Sequence, residues 1–302
     1  MLAASNGMAV SQVCDPRGQP AVLATQRRED ALNEHLIDHV LRDDPWSEDS
    51  VDVTQLQPQL SIDDAYALQF AQMARRADTG DRIVGYKAAA TSLGAQDVLG
   101  SDTPVPTVGT LLASRLAQDG DEFTVLPGKT FVEVEIAALI SSQLRGPAVT
   151  QLDVSRAVGA LCPAIEIAAW SPGVVGGRRS VHHSIATHKT NGIVVVGDPT
   201  PSATVPDLRL EGAYLELDGA VVGSGTGVEA MGHPYRVVAA IARLLAAHGL
   251  GLEPGMVVMT GSLLAPFVLP PDKRTAIASF TRLGRVSVRF HQRRAEPRGG
   301  DR

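Results

Sequence analysis

The sequence predicts an α+β protein, a mixed sheet rolled toward a barrel with helices at its flank. Three observations predict it. Short apolar segments of strand length, rich in β-branched residues and bounded by Gly, Pro or Asp, recur from residue 83 to residue 290. Helical periodicity gathers before residue 80 and in one later run. The two kinds of segment do not alternate as a doubly wound sheet would require.

Residues 1–28 mix Gly, Pro, Ser and Gln without a period and are expected to form a disordered extension. From Glu29 to Arg42, Leu32, Leu36, Val40 and Leu41 follow a helical pattern. Asp43–Gln59 reads as a polar, proline-containing link. Ser61 then sits where an N-cap belongs, with Asp64 three residues on, and Tyr66, Leu68, Phe70 and Met73 carry a helix toward Gly80. Residues 29–80 are thus a helical N-terminal region. Residues 81–290 form the β-roll expected to carry the chemistry, and 291–302 a flexible tail. Strands are predicted at Ile83–Tyr86, Phe131–Ile140, Ala164–Ala169, Gly192–Gly197, Ala213–Leu217, Met256–Thr260 and Val286–Phe290. One strong helix spans Tyr235–His248, with Val238, Ile241, Leu244 and Leu245 on one face and His248-Gly249 as its end.

Composition narrows the function. With 44% hydrophobic residues the chain can build an ordinary core. A net charge of −6, with scattered lysines and arginines, argues against a nucleic-acid partner. No apolar run approaches the ~20 residues of a membrane span. No basic segment precedes an apolar one at the start, so a cytoplasmic location is expected. Two cysteines, Cys14 and Cys162, make no disulfide framework, and Cys162 reads as a small buried apolar residue.

The sharpest chemical feature is Phe131-Val-Glu-Val-Glu-Ile136. Alternation along a strand puts Glu133 and Glu135 on one face and Val132, Val134 and Ile136 on the other. Two enclosed carboxylates side by side repel, and a hard divalent cation removes that repulsion. A solvated edge-strand face is the plainer alternative. Glu166 weighs against it, as a single acid within the apolar segment Pro163–Ala169 that needs a partner. Lys87, at the end of Ile83-Val-Gly-Tyr86, is either a surface lysine or one whose pKa is lowered near that metal so that it polarises or protonates an enolate. His182 and His183 are adjacent and would point apart on a strand, and no zinc-ligand spacing is present among His182, His183 and His188. Gly223-Ser-Gly-Thr-Gly227 lacks the strand and helix context of a dinucleotide loop and reads as a turn before the late helix.

Taken in order, several segments resemble the fumarylacetoacetate hydrolase superfamily, within it the 2-keto-4-pentenoate hydratase and 4-oxalocrotonate decarboxylase group. They are Ile62–Gln69, Arg82–Lys87, Phe131–Ala137, Pro163–Ile167, Gly232-His-Pro234, Leu252–Gly255, Thr260–Ser262 and Leu283–Phe290. The resemblance implies the β-roll of the fumarylacetoacetate hydrolase C-terminal type, a homodimer or larger assembly, and Mg²⁺ or Mn²⁺ bound by Glu133, Glu135 and Glu166. It implies an active-site role for Lys87, a substrate-lining loop at Thr260, Gly261 and Ser262, and substrate contact by Thr190 and by Tyr86. The activity it implies is a lyase acting on a small 2-oxo acid or its enol by way of an enolate, with hydration, decarboxylation and tautomerisation sharing that course. Acylpyruvate C–C hydrolysis and a weakened homologue serving as a partner subunit are the alternatives.

Three departures from the family pattern bear on the reaction. Thr187-His-Lys-Thr190 replaces an Asp-Asn pair before the hydroxyl position, Pro104–Gly109 lacks a usual acid, and Ser171 stands where an arginine is usual. His188 and Lys189 are the available substitutes for the missing proton-transfer groups. Water addition, which needs a positioned donor and acceptor, is expected to suffer most.

Overall fold

The computed structural model describes residues 34–40, 51–92, 96, 106–125, 129–170, 180–187 and 192–291. The expected N-terminal extension and most of the C-terminal tail lie outside these residues.

Three helices open the described chain: α1 (residues 34–40), α2 (Val53–Leu56) and α3 (Ile62–Asp78). Ser61 caps α3 as its sequence predicts: its Oγ accepts from the Asp64 amide, and the Asp64 carboxylate accepts from the Ser61 amide. Arg75 of α3 reaches back to Glu34 and Asp38 of α1, and Gln72 donates to the Val40 carbonyl. The link predicted over Asp43–Gln59 contains α2, whose N-cap Asp52 accepts from the Thr54 amide.

The rest of the chain is chiefly sheet. The strands are β1 (Ile83–Ala89), β2 (Thr107–Leu112), β3 (Leu116–Gln118), β4 (Glu122–Thr124), β5 (Lys129–Ile140), β6 (Val158–Trp170) and β7 (Ile193–Val196). They continue with β8 (Thr200–Pro201), β9 (Gly212–Leu217), β10 (Ala220–Thr226), β11 (Val257–Ser262), β12 (Phe267–Val268), β13 (Thr275–Phe280) and β14 (Arg285–His291). The larger sheet runs β2-β1-β11-β5-β6-β7-β3, with β12 beside β5 and β8 beside β6. The smaller runs β10-β9-β13-β14-β4. Both mix parallel and antiparallel pairs: β1 is parallel to β11 and β3 to β7, while β5 is antiparallel to β6 and β11. Three further helices, α4 (Gln151–Ala157), α5 (Val181–Thr187) and α6 (Pro234–Ala247), pack at the flank.

The two-faced strands decide where the site lies. Val132, Val134 and Ile136 of β5, with Ile165 and Ile167 of β6, face a large core that also takes Tyr66 of α3 and Val238 and Ile241 of α6. The opposite face carries Ala137, Cys162 and Ala164, which pack with Val194, Val257, Met259 and Leu111 in a second, smaller cluster. By alternation Glu133, Glu135 and Glu166 stand on this second face.

The structure corrects several sequence readings. Lys87 is interior to β1, not at a strand end. Gly223–Thr226 belongs to strand β10, not to a turn. His182 and His183 lie on helix α5, and His183 is buried, its Nδ1 accepting from the Val53 amide, so it is a structural link to α2. His291, assigned to the tail, ends β14 and pairs with Thr124.

Candidate metal centre

The β5–β6 register pairs Glu133 directly with Glu166 and Glu135 with Ala164. Two residues on β5 and one on β6 therefore converge, and one carboxylate oxygen from each of Glu133, Glu135 and Glu166 lies within 4.8 Å of the others. Glu135 and Glu166 are buried and Glu133 is half-buried.

Each acid is held differently. Glu135 Oε2 accepts from the Gly261 amide at 2.7 Å, while its Oε1 is buried without a hydrogen-bond partner among the described residues. Glu166 Oε1 accepts from Lys87 Nζ at 2.5 Å and from the Gly192 amide at 3.4 Å. Lys87 is 5% exposed, which removes the surface-lysine reading.

Among the described residues, charge in this enclosure is unbalanced, three acids against one lysine. Burial, and then the negative charge of Glu166, push Glu133 up to about 7. Burial likewise lifts Glu135 well above the usual carboxylate range, aided by Glu166 and Glu133 and opposed by Lys87 and the Gly261 amide. Burial alone would lower Lys87, but Glu166, Glu133 and Glu135 outweigh it and hold the ammonium above its ordinary pKa. The Lys87 ammonium is thus held charged against the Glu166 carboxylate.

These features fit a hard divalent ion. The donors are all carboxylate oxygens, the preference of Mg²⁺, Mn²⁺ and Ca²⁺, and Glu135 Oε1 is a buried acceptor with no donor among the described residues.

The Thr260–Ser262 segment gives the cluster its shape. Regular pairing of β11 with β5 breaks between Met259 and Ser262, and Gly261 takes the left-handed backbone, φ 91°. That turn aims its amide at Glu135. Only glycine fits: a β-carbon on Gly261 would stand 2.0 Å from Thr91 Oγ1. Thr260 Oγ1 donates to the Ile136 carbonyl, and Ser262 Oγ to the Leu264 carbonyl. Thus this segment lies beside Glu135, with both hydroxyl protons committed to backbone.

Tyr86 is a correction. It alternates to the face opposite Lys87 and packs in the large core, where burial, seconded by Glu253, pushes its hydroxyl up to about 12. Its ring does not join the carboxylates. His188, Lys189 and Thr190 lie outside the described residues, as does Ser171. Gly192 and Thr91 were not singled out from sequence, because neither belongs to a motif and each matters only through a long-range contact.

The curled mixed half-barrel with flanking helices, carrying its acids on the central strand pair, is the fumarylacetoacetate hydrolase-type fold. The chain belongs to the fumarylacetoacetate hydrolase family, whose C-terminal domain matches residues 81–290. It is 29% identical to a 4-oxalocrotonate decarboxylase of Pseudomonas putida over 269 residues, 88% of this chain and 98% of that protein. It is also 29% identical to a 2-hydroxyhexa-2,4-dienoate hydratase of Comamonas testosteroni over 219 residues, 72% of this chain and 81% of that one. Among solved structures, the 4-oxalocrotonate decarboxylase of Pseudomonas putida G7, complexed with magnesium and adipate, superposes with a TM-score of 0.74 at 28% identity, covering 87% of this chain and 98% of that one. Relatives named for hydration and decarboxylation make this chain an enzyme of the lyase type. No helix among the described residues is long and apolar enough to cross a membrane.

Proposed function

We propose that the protein is a divalent-metal-dependent lyase for a small 2-oxo acid or its enol, with Glu133, Glu135 and Glu166 holding Mg²⁺ or Mn²⁺. The observation that carries this reading is the convergence of three carboxylates within 4.8 Å around a partnerless Glu135 oxygen. A divalent cation bound there supplies a Lewis acid for the carboxylate and 2-oxo group of the substrate.

The chain's own residues supply the rest. Lys87, cationic and buried against Glu166, offers positive charge and a proton to the oxygen on which negative charge develops. The Gly261 amide fixes Glu135, and the Gly192 amide touches Glu166, so the ligand carboxylates are set before substrate arrives. The apolar floor of Ala137, Cys162, Ala164 and Met259 keeps water from beneath the site and strengthens each charge interaction.

Decarboxylation or enolisation suits this equipment better than hydration. Loss of CO₂ from a β-keto acid itself leaves the electron pair of the enolate, so it needs fewer positioned proton-transfer groups than addition of water. The sequence favours the same direction, since Pro104–Gly109 lacks the usual acid and Thr187-His188 replaces a polar pair. His188 or Lys189 would then supply the remaining proton transfer, and Thr190 a substrate contact.

The test is exchange of solvent deuterium into pyruvate or 2-oxobutyrate, followed by proton NMR with and without Mg²⁺. Metal-dependent exchange is expected. A protein that binds Mg²⁺ but exchanges no faster than buffer would instead be a partner subunit without activity of its own.

A further inference from the structure

The glycine-rich run Gly223–Gly227 has no part in the cluster itself, yet it presses on the segment that shapes it. Gly225, on β10 opposite Ala213 of β9, is so close to Leu263 that a β-carbon there would lie 1.7 Å from the Leu263 carbonyl oxygen and 2.7 Å from its carbon. Leu263 in turn donates its amide to the carbonyl of Val134, the residue between Glu133 and Glu135, at 2.8 Å. Two residues earlier the Gly261 amide holds Glu135 Oε2 at 2.7 Å, with Gly261 itself pressed against Thr91. The chain from Gly261 to Leu263 is thus wedged between Thr91 on one side and Gly225 on the other, with β5 along its length.

We propose that Gly225 is a positioning residue for the divalent cation: its missing side chain lets the Leu263 backbone seat, which fixes the Gly261 amide on Glu135 and leaves Glu135 Oε1 free to bind the ion. The inference rests on the three-carboxylate reading above.

The neighbouring glycines provide controls. Gly223, two residues away on the same face of β10, would set a β-carbon 3.0 Å from Leu264 Cδ1, the far end of a flexible side chain. Gly227 would set one 1.8 Å from the Leu208 carbonyl oxygen, a backbone clash as severe as that at Gly225 but against a different segment. The experiment is Mn²⁺ titration, by calorimetry and by the loss of the free-ion electron-spin signal, on the full chain and on Gly225→Ala, Gly223→Ala and Gly227→Ala, with melting temperatures for each. Gly225→Ala should weaken Mn²⁺ about tenfold or more, the usual effect of disturbing an outer-shell partner. Gly227→Ala should lower the melting temperature comparably and leave Mn²⁺ affinity within about twofold, as should Gly223→Ala, because neither touches the Gly261–Leu263 segment. Wild-type affinity in Gly225→Ala, or an equal loss in Gly227→Ala, overturns the proposal. If Gly225→Ala does not fold, Ser262→Ala, which removes the hydroxyl bond that spans the Leu263 backbone to the Leu264 carbonyl, is read in its place, and unchanged affinity there overturns the claim that the seat of Leu263 fixes Glu135. A wild-type chain that binds no Mn²⁺ overturns the carboxylate site and this inference together, whereas tight wild-type binding lost in Glu135→Ala but kept in Gly225→Ala overturns this inference alone.

Discussion

Glu133 and Glu166 stand directly opposite one another across the β5–β6 pair, and Lys87 closes on the Glu166 carboxylate from β1 at 2.5 Å. One central strand pair therefore presents acids from both strands, with a cation that neutralises only part of their charge. The consequences are open to measurement.

Metal affinity should depend on pH through the carboxyls. Burial holds Glu133 at about 7 and lifts Glu135 well above the usual carboxylate range, so the metal-free site carries protons near neutrality that an entering cation must displace. Mn²⁺ affinity should fall as pH drops through about 7, with protons released on binding. Calorimetry in buffers of different ionisation enthalpy counts them. No proton release at pH 6.5 would contradict the raised carboxyls.

The same shifts set the sign of the stability change. A carboxyl whose folded pKa lies above its ordinary 4.5 favours folding at low pH, and that contribution is lost as pH rises through the folded value, here about 7 for Glu133. Relative to a Glu133→Gln, Glu135→Gln double variant, the metal-free protein should therefore lose melting temperature between about pH 5 and 7. Saturating Mg²⁺ should restore it above pH 7 in the parent and not in the variant. A difference that grows more favourable to the parent with rising pH, without metal, would reverse the sign and sink the argument.

Lys87→Ala should keep Mg²⁺ binding but lose at least about tenfold in kcat/KM, roughly 1.4 kcal/mol, on whichever 2-oxo acid is turned over. Its metal-free form should melt lower than the parent, because the enclosed acids then lose the ammonium paired with Glu166, and Mg²⁺ should recover most of that loss. Activity near that of the parent would confine Lys87 to charge balance alone.

Gly261→Ala separates backbone strain from the site. Gly146 also has a left-handed backbone, φ 115°, but open space around it, while Gly261 meets Thr91. Alanine at Gly146 should cost on the order of 1 kcal/mol from φ alone. At Gly261 the loss in urea unfolding should be clearly larger and accompanied by weaker metal binding. Equal losses at the two positions would show that the contact with Thr91 and the bond to Glu135 contribute nothing.

Reaction type is tested with two substrates in parallel. Followed by ultraviolet absorbance with Mg²⁺ present, 2-hydroxypenta-2,4-dienoate should be hydrated weakly or not at all, while oxaloacetate should be decarboxylated measurably. Each missing general acid or base typically removes ~10²–10⁴-fold from a step that needs it. Dienoate hydration with kcat/KM at or above ~10⁴ M⁻¹s⁻¹ would show that the acid absent from Pro104–Gly109 is dispensable.

Much of this centre was legible in the sequence because its signals are local. Alternation alone put Glu133 and Glu135 on one face, the capping box at Ser61 marked the start of α3, and the apolar stripe of residues 235–248 marked α6. What could not be read locally was partnership. Lys87 and Glu166 are 79 residues apart, and Gly261 and Glu135 are 126 apart, so only the register of β1, β11, β5 and β6 joins them. The alternation that placed the glutamates also carries Tyr86 away from Lys87, which the resemblance to a family motif overrode. β10 was missed because Gly-Ser-Gly-Thr has little intrinsic strand preference, and pairing with β9 decides its conformation. α5 was misread around His182-His183, where a short helix held by Asp52, Ser180 and Val53 depends on contacts about 130 residues distant.

The central claim, that Glu133, Glu135 and Glu166 together hold one divalent cation, is tested most directly by Mg²⁺ and Mn²⁺ titration calorimetry of the parent and of Glu135→Ala at about pH 8, where the carboxyl competition described above is weakest. The parent should bind one ion per chain and Glu135→Ala none, with the variant's fold intact by circular dichroism. An affinity unchanged by Glu135→Ala would contradict the three-carboxylate centre.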